Sequence, residues 1–247
     1  MPHPTPTLFP AALAFAPSSA TGEFCDAFGV RCYCISGAEK LPPFLINLVS
    51  ASNLWMFVAS NGALTAGRVD ADGALFPYQT VDRIYDSVGV IGPVTACWVS
   101  TAAGEVLWEP FAAHTTRIHS ITRNLYKSVE GDRLWFEEIN PALGLSFRYG
   151  WSTAEEHGFI RRCELVNLTD ESVSVRICDG VKNILPAGIP LRLQSMSSNL
   201  ADAYKTAEVL SGSRLAVYAL AATIVDQPTP MEALRASVVC SCGELPF

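Results

Sequence analysis

The stretch SNGALTAGRVDADGALFPYQTVD, residues 60 to 82, holds Gly62-x-x-x-x-Gly67 followed directly by Arg68. This spacing is close to the first half of a phosphate-binding loop. That chemistry needs a Lys to reach the terminal phosphates and a following Ser or Thr to hold Mg²⁺. Here Arg68 and Val69 stand in those places. The loop must also open a helix whose N-terminus faces the anion. The next residues, VDADGALFP, carry an Asp-Gly turn and a proline, which break a helix. The nucleotide reading therefore fails on both counts.

Other reactive residue types are scattered. Gly150-Trp151-Ser152-Thr153-Ala154 sits inside an alternating strand pattern, whereas a serine nucleophile needs a strand-to-helix elbow. The four histidines are His3, His114, His119 and His157. The odd separation of His114 and His119 puts them on opposite sides of a regular strand. The adjacent carboxylates Glu137/Glu138 and Glu155/Glu156 would diverge in the same way. Each such pair then reads as one solvated carboxylate and one surface ion pair. No catalytic set assembles from these residues.

Eight cysteines include the pairs Cys32/Cys34 and Cys240/Cys242. Zinc templates place two to four residues between paired thiolates, so a single intervening residue is off-pattern. Cys25, Cys97, Cys163 and Cys178 read as small buried hydrophobes. No metal and no cofactor are expected.

The loop from Ser60 to Asp86 is the better binding candidate. It gathers Asn61, Arg68, Tyr78, Asp82 and Arg83 among glycines and an exposed-looking LFPY. Sugar sites pair aromatic faces with side chains that hydrogen-bond hydroxyls. The competing reading is an Arg68–Asp82 ion pair that merely pins the loop.

Period-2 alternation dominates the elements that must position these residues. In LSFRYGW, Phe147, Tyr149 and Trp151 oppose Ser146, Arg148 and Gly150; in ESVSVRIC, Val173, Val175 and Ile177 oppose Ser172, Ser174 and Arg176. Further strands are expected in FLINLV, NLWMFVA, VTACWVS, EVLWEPF, TRIHSIT, RLWFEEI, GFIRRCELVNL and RLAVYALAA. SNLADAYKTAEVL reads as a helix, with Leu200, Ala203, Tyr204, Ala207 and Leu210 on one side. The fold class is all-β, antiparallel sheets with at most one or two short helices. Residues 1–34 read as a leader and an irregular first segment, and 35–247 as one β-sandwich domain.

The chain has 247 residues, 49% hydrophobic and 17% charged, enough for a large core. A net charge of −7 without any Lys/Arg cluster argues against nucleic acid and anionic membranes. No apolar run is long enough to span a bilayer. MPHPTPTLFPAALAFAPSSA lacks the basic start of a secretory signal and reads as a leader, which implies a cytoplasmic protein. The end, SVVCSCGELPF, has no polar tail and points to truncation or a domain boundary close by.

The order of several segments is similar to a known family. FLINLVSASNLWMFVASNGALTAGRVDADGALFPYQTVDRIYDS, WEPF, RNLYKSVEGDRLWFEEINPALGLSFRYGWSTAEEHGFIRRCELVNLTDESVSVRICDGVKNILPAG and SNLADAYK together resemble the N-terminal domain of cellobiose-phosphorylase-like proteins. These are related to the cellobiose and chitobiose phosphorylases among the glycoside hydrolases. The resemblance covers about residues 35 to 243. It implies a galactose-mutarotase-like supersandwich that precedes a helical (α/α)6 barrel carrying the general acid, with phosphate as the nucleophile. No catalytic residue of the family falls on this chain.

The resemblance also implies an oligosaccharide or sugar phosphate as ligand, the helical-barrel catalytic domain as partner, and homodimer contacts. Asn61, Arg68, Tyr78 and Asp82 are then residues of a rim loop at the sugar site. The expected function is a carbohydrate-binding domain, non-catalytic alone, of a glycoside phosphorylase or hydrolase. The alternatives are a mutarotase-like sugar epimerase, with only His114, His119, His157 and Glu137/Glu138 as acid–base material, and a ligand-free dimerisation or scaffold domain.

Overall fold

The computed structural model describes residues 20–196, 198–224 and 236–241. A six-stranded antiparallel sheet forms one layer. Its strands are β1 (Thr21–Ala27) and β2 (Val30–Ser36), then β9 (Thr122–Ser128), β10 (Leu134–Asn140), β11 (Leu145–Ala154) and β12 (Gly158–Asn167), in that spatial order. The facing layer has two parts. One is the sheet β3 (Leu45–Leu48), β4 (Leu54–Ala59), β5 (Leu64–Arg68) and β6 (Ala74–Phe76). The other orders β13 (Val175–Lys182), β7 (Gly92–Thr101) and β8 (Gly104–Trp108). A separate antiparallel sheet holds β14 (Lys205–Val209), β15 (Leu215–Leu220) and β16 (Ala236–Cys240).

One core joins the two layers. Leu125, Leu134, Phe136, Leu145, Phe147, Tyr149 and Trp151 from the six-stranded sheet meet Met56, Val58, Leu64, Phe76, Cys97, Val99 and Trp108 from the facing sheets. The chain is thus an all-β sandwich of antiparallel sheets. The alternation in β11 sets the layer order: Phe147, Tyr149 and Trp151 are buried inward while Arg148 is directed to the outer face.

Three short helices, one more than the sequence reading allows, are present among the described residues: α1 (Thr115–Ile118), α2 (Leu191–Met196) and α3 (Ser198–Tyr204). α1 occupies TRIHSIT, where the sequence reads as a strand, and β9 begins only at Thr122. Two apolar β-branched residues in seven do not separate one helical turn from a strand. The helix expected through Leu210 ends at Tyr204, because Lys205–Val209 pairs with β15 instead. Tertiary pairing overrides a helical period that short.

The largest departure lies at the beginning. The segment through residue 34, read as irregular, contains β1 and most of β2, which pair from Thr21↔Ser36 to Ala27↔Val30. Their turn is Phe28–Gly29, with φ of 53° and 77°. Both central residues of a two-residue hairpin of this type need positive φ, which Asn-Gly supplies more readily than Phe-Gly. The hairpin therefore lacks its usual sequence signal. Phe28 is held there because its ring stacks on Trp135 at 4.6 Å and 12° and meets Tyr126 edge-on at 5.3 Å.

Gly150 lies under the other side of Trp135, and a Cβ at that position would intrude on the indole ring. Gly150→Ala is expected to lower the unfolding free energy by about 1–3 kcal/mol, the usual range for overpacking. Urea denaturation checks this; an unchanged midpoint would show that the Trp135 ring moves freely.

Candidate functional site

The sequence-selected residues go to different places. Asn61 sits in the turn between β4 and β5, with Nδ2 donating to the Tyr85 carbonyl (3.3 Å) and Oδ1 accepting from Ala63 N (3.2 Å). Both ends of its amide are engaged in shaping the turn. Arg68 is exposed at the end of β5 and donates to Asn53 Oδ1 (2.9 Å), not to Asp82. The Arg68–Asp82 ion pair of the competing reading is absent among the described residues. Asp82 is exposed in the loop, and the Thr80 side chain holds its carboxyl below its ordinary value. Tyr78 meets Trp55 edge-on at 5.8 Å on the outer face of the four-stranded sheet.

Asn61 and Arg68 line two different cavities, and Tyr78 and Asp82 line neither. A cleft of about 1070 Å³ is lined by Arg68, His157, Trp151, Phe159 and residues of β16, with mainly apolar walls. A smaller pocket of about 230 Å³ takes Asn61 and Gly62 from the β4–β5 turn, Thr95 from β7, Glu109 and His114 from the loop after β8, Tyr149 from β11 and Lys182 from β13. The smaller pocket concentrates hydrogen-bonding groups, which is what orients a hydroxylated ligand.

Within it, His114 Nε2 lies 3.0 Å from Glu109 Oε2. Lys182 Nζ donates to the Gly89 carbonyl (3.2 Å) across one side. The Tyr149 side chain is 2% exposed and lines the pocket. Its hydroxyl faces Gly62, where a Cβ would come within 3.1 Å of it. Burial drives the Tyr149 pKa well above the ordinary value, so the hydroxyl stays a proton donor at neutral pH. The guanidinium of Arg161 sits 5.2 Å from the Tyr149 ring centre. Arg161 is in turn gripped by Asp179 at 2.6 and 2.8 Å, and Thr95 Oγ1 donates to the same carboxylate (2.6 Å).

The loop that carries Glu109 and His114 is clamped from inside the core. Glu138 is fully buried and accepts from Trp108 Nε1, Phe111 N and Arg123 Nε, each at 2.8 Å. Arg123 Nη2 also donates to the Ala112 carbonyl (3.1 Å). Glu109 uses its own carbonyl to accept from Ala112 N and the Thr115 hydroxyl.

Glu137 and Glu138 do diverge to opposite faces of β10, as alternation requires. Neither is solvated or at the surface. On the outer face, Glu137 is 3% exposed and accepts from Asn124 Nδ2 (2.8 Å), Tyr126 OH (2.8 Å), Ser146 Oγ (3.3 Å) and Arg148 Nε (2.6 Å). Glu155 and Glu156 are exposed in the turn between β11 and β12 rather than in a strand. Glu109 was not singled out from the sequence. Its only signal there is a separation of five from His114, which means nothing until the loop folds back.

Among the cysteines, Cys97 is buried as expected, and burial pushes its thiol up to about 12. Cys25 is only partly buried, and Cys163 and Cys178 are exposed; Cys178 falls on the Ser172, Ser174 and Arg176 side of its strand's alternation. No set of three His, Cys, Asp or Glu side chains among the described residues is placed to hold a metal; Cys242 lies outside them, as does His3. No helix among the described residues is long and apolar enough to cross a membrane. Neither the family models nor the curated proteins searched yield a match to this chain.

Burial pushes the Glu137 carboxyl up, but hydrogen bonds from Asn124, Arg148 and Tyr126 with the Arg148 charge together hold it below its ordinary value. A depressed folded-state pKa stabilises the protein above the unfolded value of about 4.3 and loses that contribution as the pH falls through the folded value. Unfolding free energy is therefore expected to drop in acid, with Glu137→Gln flatter below about pH 4.3. Denaturation curves across a pH series test this; parallel acid slopes for both proteins would refute it.

Proposed function

We propose that this chain is a carbohydrate-binding β-sandwich domain that takes a single sugar unit in the pocket of Glu109, His114 and Tyr149. The observation that carries the reading is the convergence of the Tyr149 side chain and the Glu109–His114 pair on one small pocket. A tyrosine hydroxyl on a pocket wall can donate to and accept from a ligand hydroxyl. Glu109 accepts and His114 donates at the fixed angles that sugar hydroxyls require. Lys182, on the same rim, would suit a ligand bearing a phosphate or carboxylate.

The segment order described above supports assigning the chain to the cellobiose-phosphorylase-like N-terminal domains. On that reading it acts without catalysis of its own and shapes the sugar site of a helical-barrel partner. The rim residues proposed are then those of the pocket, with Asn61 fixing the turn beside it. Arg68, Tyr78 and Asp82 lie outside it.

Calorimetric titration with glucose, galactose, cellobiose and glucose 1-phosphate tests this. Tyr149→Phe is expected to weaken binding by about 1 kcal/mol, roughly fivefold, while Arg68→Ala leaves it unchanged. Binding lost in Arg68→Ala and retained in Tyr149→Phe would move the site to the large cleft. No binding of any of the four would remove the proposal.

The Glu109–His114 contact also favours a second reading, a mutarotase-like epimerase in which His114 exchanges a proton with the ring oxygen or anomeric hydroxyl. Polarimetry of freshly dissolved glucose and galactose decides it. An epimerase is expected to accelerate equilibration and to lose that acceleration in His114→Asn; a rate equal to buffer alone discards the reading.

A further inference from the structure

The cleft of about 1070 Å³ shares no lining residue with the small pocket among the described residues. Phe76, Phe159, Val181, Ile184 and Val239 give it mainly apolar walls. Cavities of this size and lining hold small molecules whose few polar atoms meet a few fixed partners. Two such partners stand side by side. Trp151 on β11 and Arg161 on β12 are directly opposed in the antiparallel register, so their side chains leave the sheet on one face. Cβ atoms so placed are about 4.5–5.5 Å apart. Both side chains line the cleft.

Each carries a buried N–H that is not spent on the protein. Trp151 is 4% exposed, and its Nε1 has no acceptor among the described residues. Arg161 donates from Nη1 and Nη2 to Asp179, at 2.6 and 2.8 Å, and its Nε is without an acceptor among the described residues. Of the four buried side-chain atoms that lack a partner there, these two are the ones that line either cavity. A buried donor left unpaired forfeits free energy that an acceptor restores. Two neighbouring donors suit one carbonyl oxygen, which has two lone pairs.

The surrounding charge selects the kind of oxygen. Arg161 is already neutralised by Asp179. The lining adds the carboxylates of Asp70 and Asp72 against the exposed guanidinium of Arg68, besides His157. An anionic head would meet like charge here, and a neutral one would not.

We propose that the large cleft binds an apolar small molecule bearing a neutral carbonyl group, whose oxygen accepts from Trp151 Nε1 and Arg161 Nε. Its hydrocarbon body lies along Phe76, Phe159 and Ile184. This site does not rest on the sugar reading, and either can fail without the other.

Calorimetric titration of the chain tests it with three probes of equal carbon number. Butyrophenone is a neutral ketone, butylbenzene is its counterpart without oxygen, and 4-phenylbutyrate is an anion. Butyrophenone is expected to bind, and 4-phenylbutyrate to bind about tenfold more weakly. Trp151→Phe keeps an aromatic ring and deletes the N–H. It is expected to weaken butyrophenone about fivefold and leave butylbenzene unchanged. Ala187→Trp, on the cleft wall in the loop after β13, is expected to abolish binding of both. Circular dichroism confirms that each variant is folded. The ketone–anion difference is read in the unaltered chain, so it stands even if Trp151→Phe does not fold. Equal losses of ketone and hydrocarbon in Trp151→Phe, tighter binding of the anion than of the ketone, ketone binding untouched by Ala187→Trp, or no butyrophenone binding overturns the proposal.

Discussion

A carboxylate with no access to solvent, Glu138, is the constraint around which the sandwich is arranged. Removing a charge from water costs several kcal/mol unless its partners are in place before it is buried. Here Trp108, Phe111 and Arg123 supply them. They come from the end of β8, the loop that follows it and β9, so one charge binds three parts of the chain to β10. Phe111 adopts a φ of 65°, an unusual conformation for an aromatic residue. Its N–H then reaches Glu138, while its ring packs edge-on against Phe136, Phe147 and Tyr149. The position of Glu109 and His114 at the pocket mouth follows from that clamp.

The other face of the same strand solves a similar problem differently. Glu137 is on the side of the six-stranded sheet away from the sandwich core, yet it is closed off from water. Phe28, Trp135 and Tyr126 form an aromatic group next to it, with Arg148 set 6.0 Å from the Phe28 ring centre. The strained turn at Phe28 and the glycine at 150 both serve that packing. The hairpin β1–β2 is therefore part of the domain's main sheet and not an appendage to it.

These buried networks leave the binding surface to the loops, as is usual for a rigid scaffold. The segment chosen from composition as a loop, Ser60 to Asp86, holds the strands β5 and β6 instead, and contributes to both cavities without forming a single site. Its turn at Asn61 and Gly62 reaches the small pocket, Arg68 reaches the large cleft, and Tyr78 lies on an outer face. The groups with free hydrogen-bonding capacity come mainly from elsewhere: the loop after β8 and the middle of β11.

Strand-like patterning alone determined the all-β class, the strands β3, β4, β7, β8, β10, β11 and β12, and the inward face of β11, but not β5, β6 or β9. It also determined that Glu137 and Glu138 point apart, because successive side chains on a strand must. What alternation could not decide was which outward face would be covered. Glu137 looks solvated until Phe28 folds over the sheet through a turn that carries no Asn-Gly signal. The pairing of Glu109 with His114 belongs to the same class. Loop conformation, fixed at a distance by Glu138, makes neighbours of residues whose spacing has no regular period. Tyr149 was legible as a core aromatic but not as a pocket residue, since its hydroxyl meets the turn at Gly62 that joins two strands of the facing layer. Local pattern specifies faces; only the packing of one sheet on another decides which polar groups on them come to line a pocket.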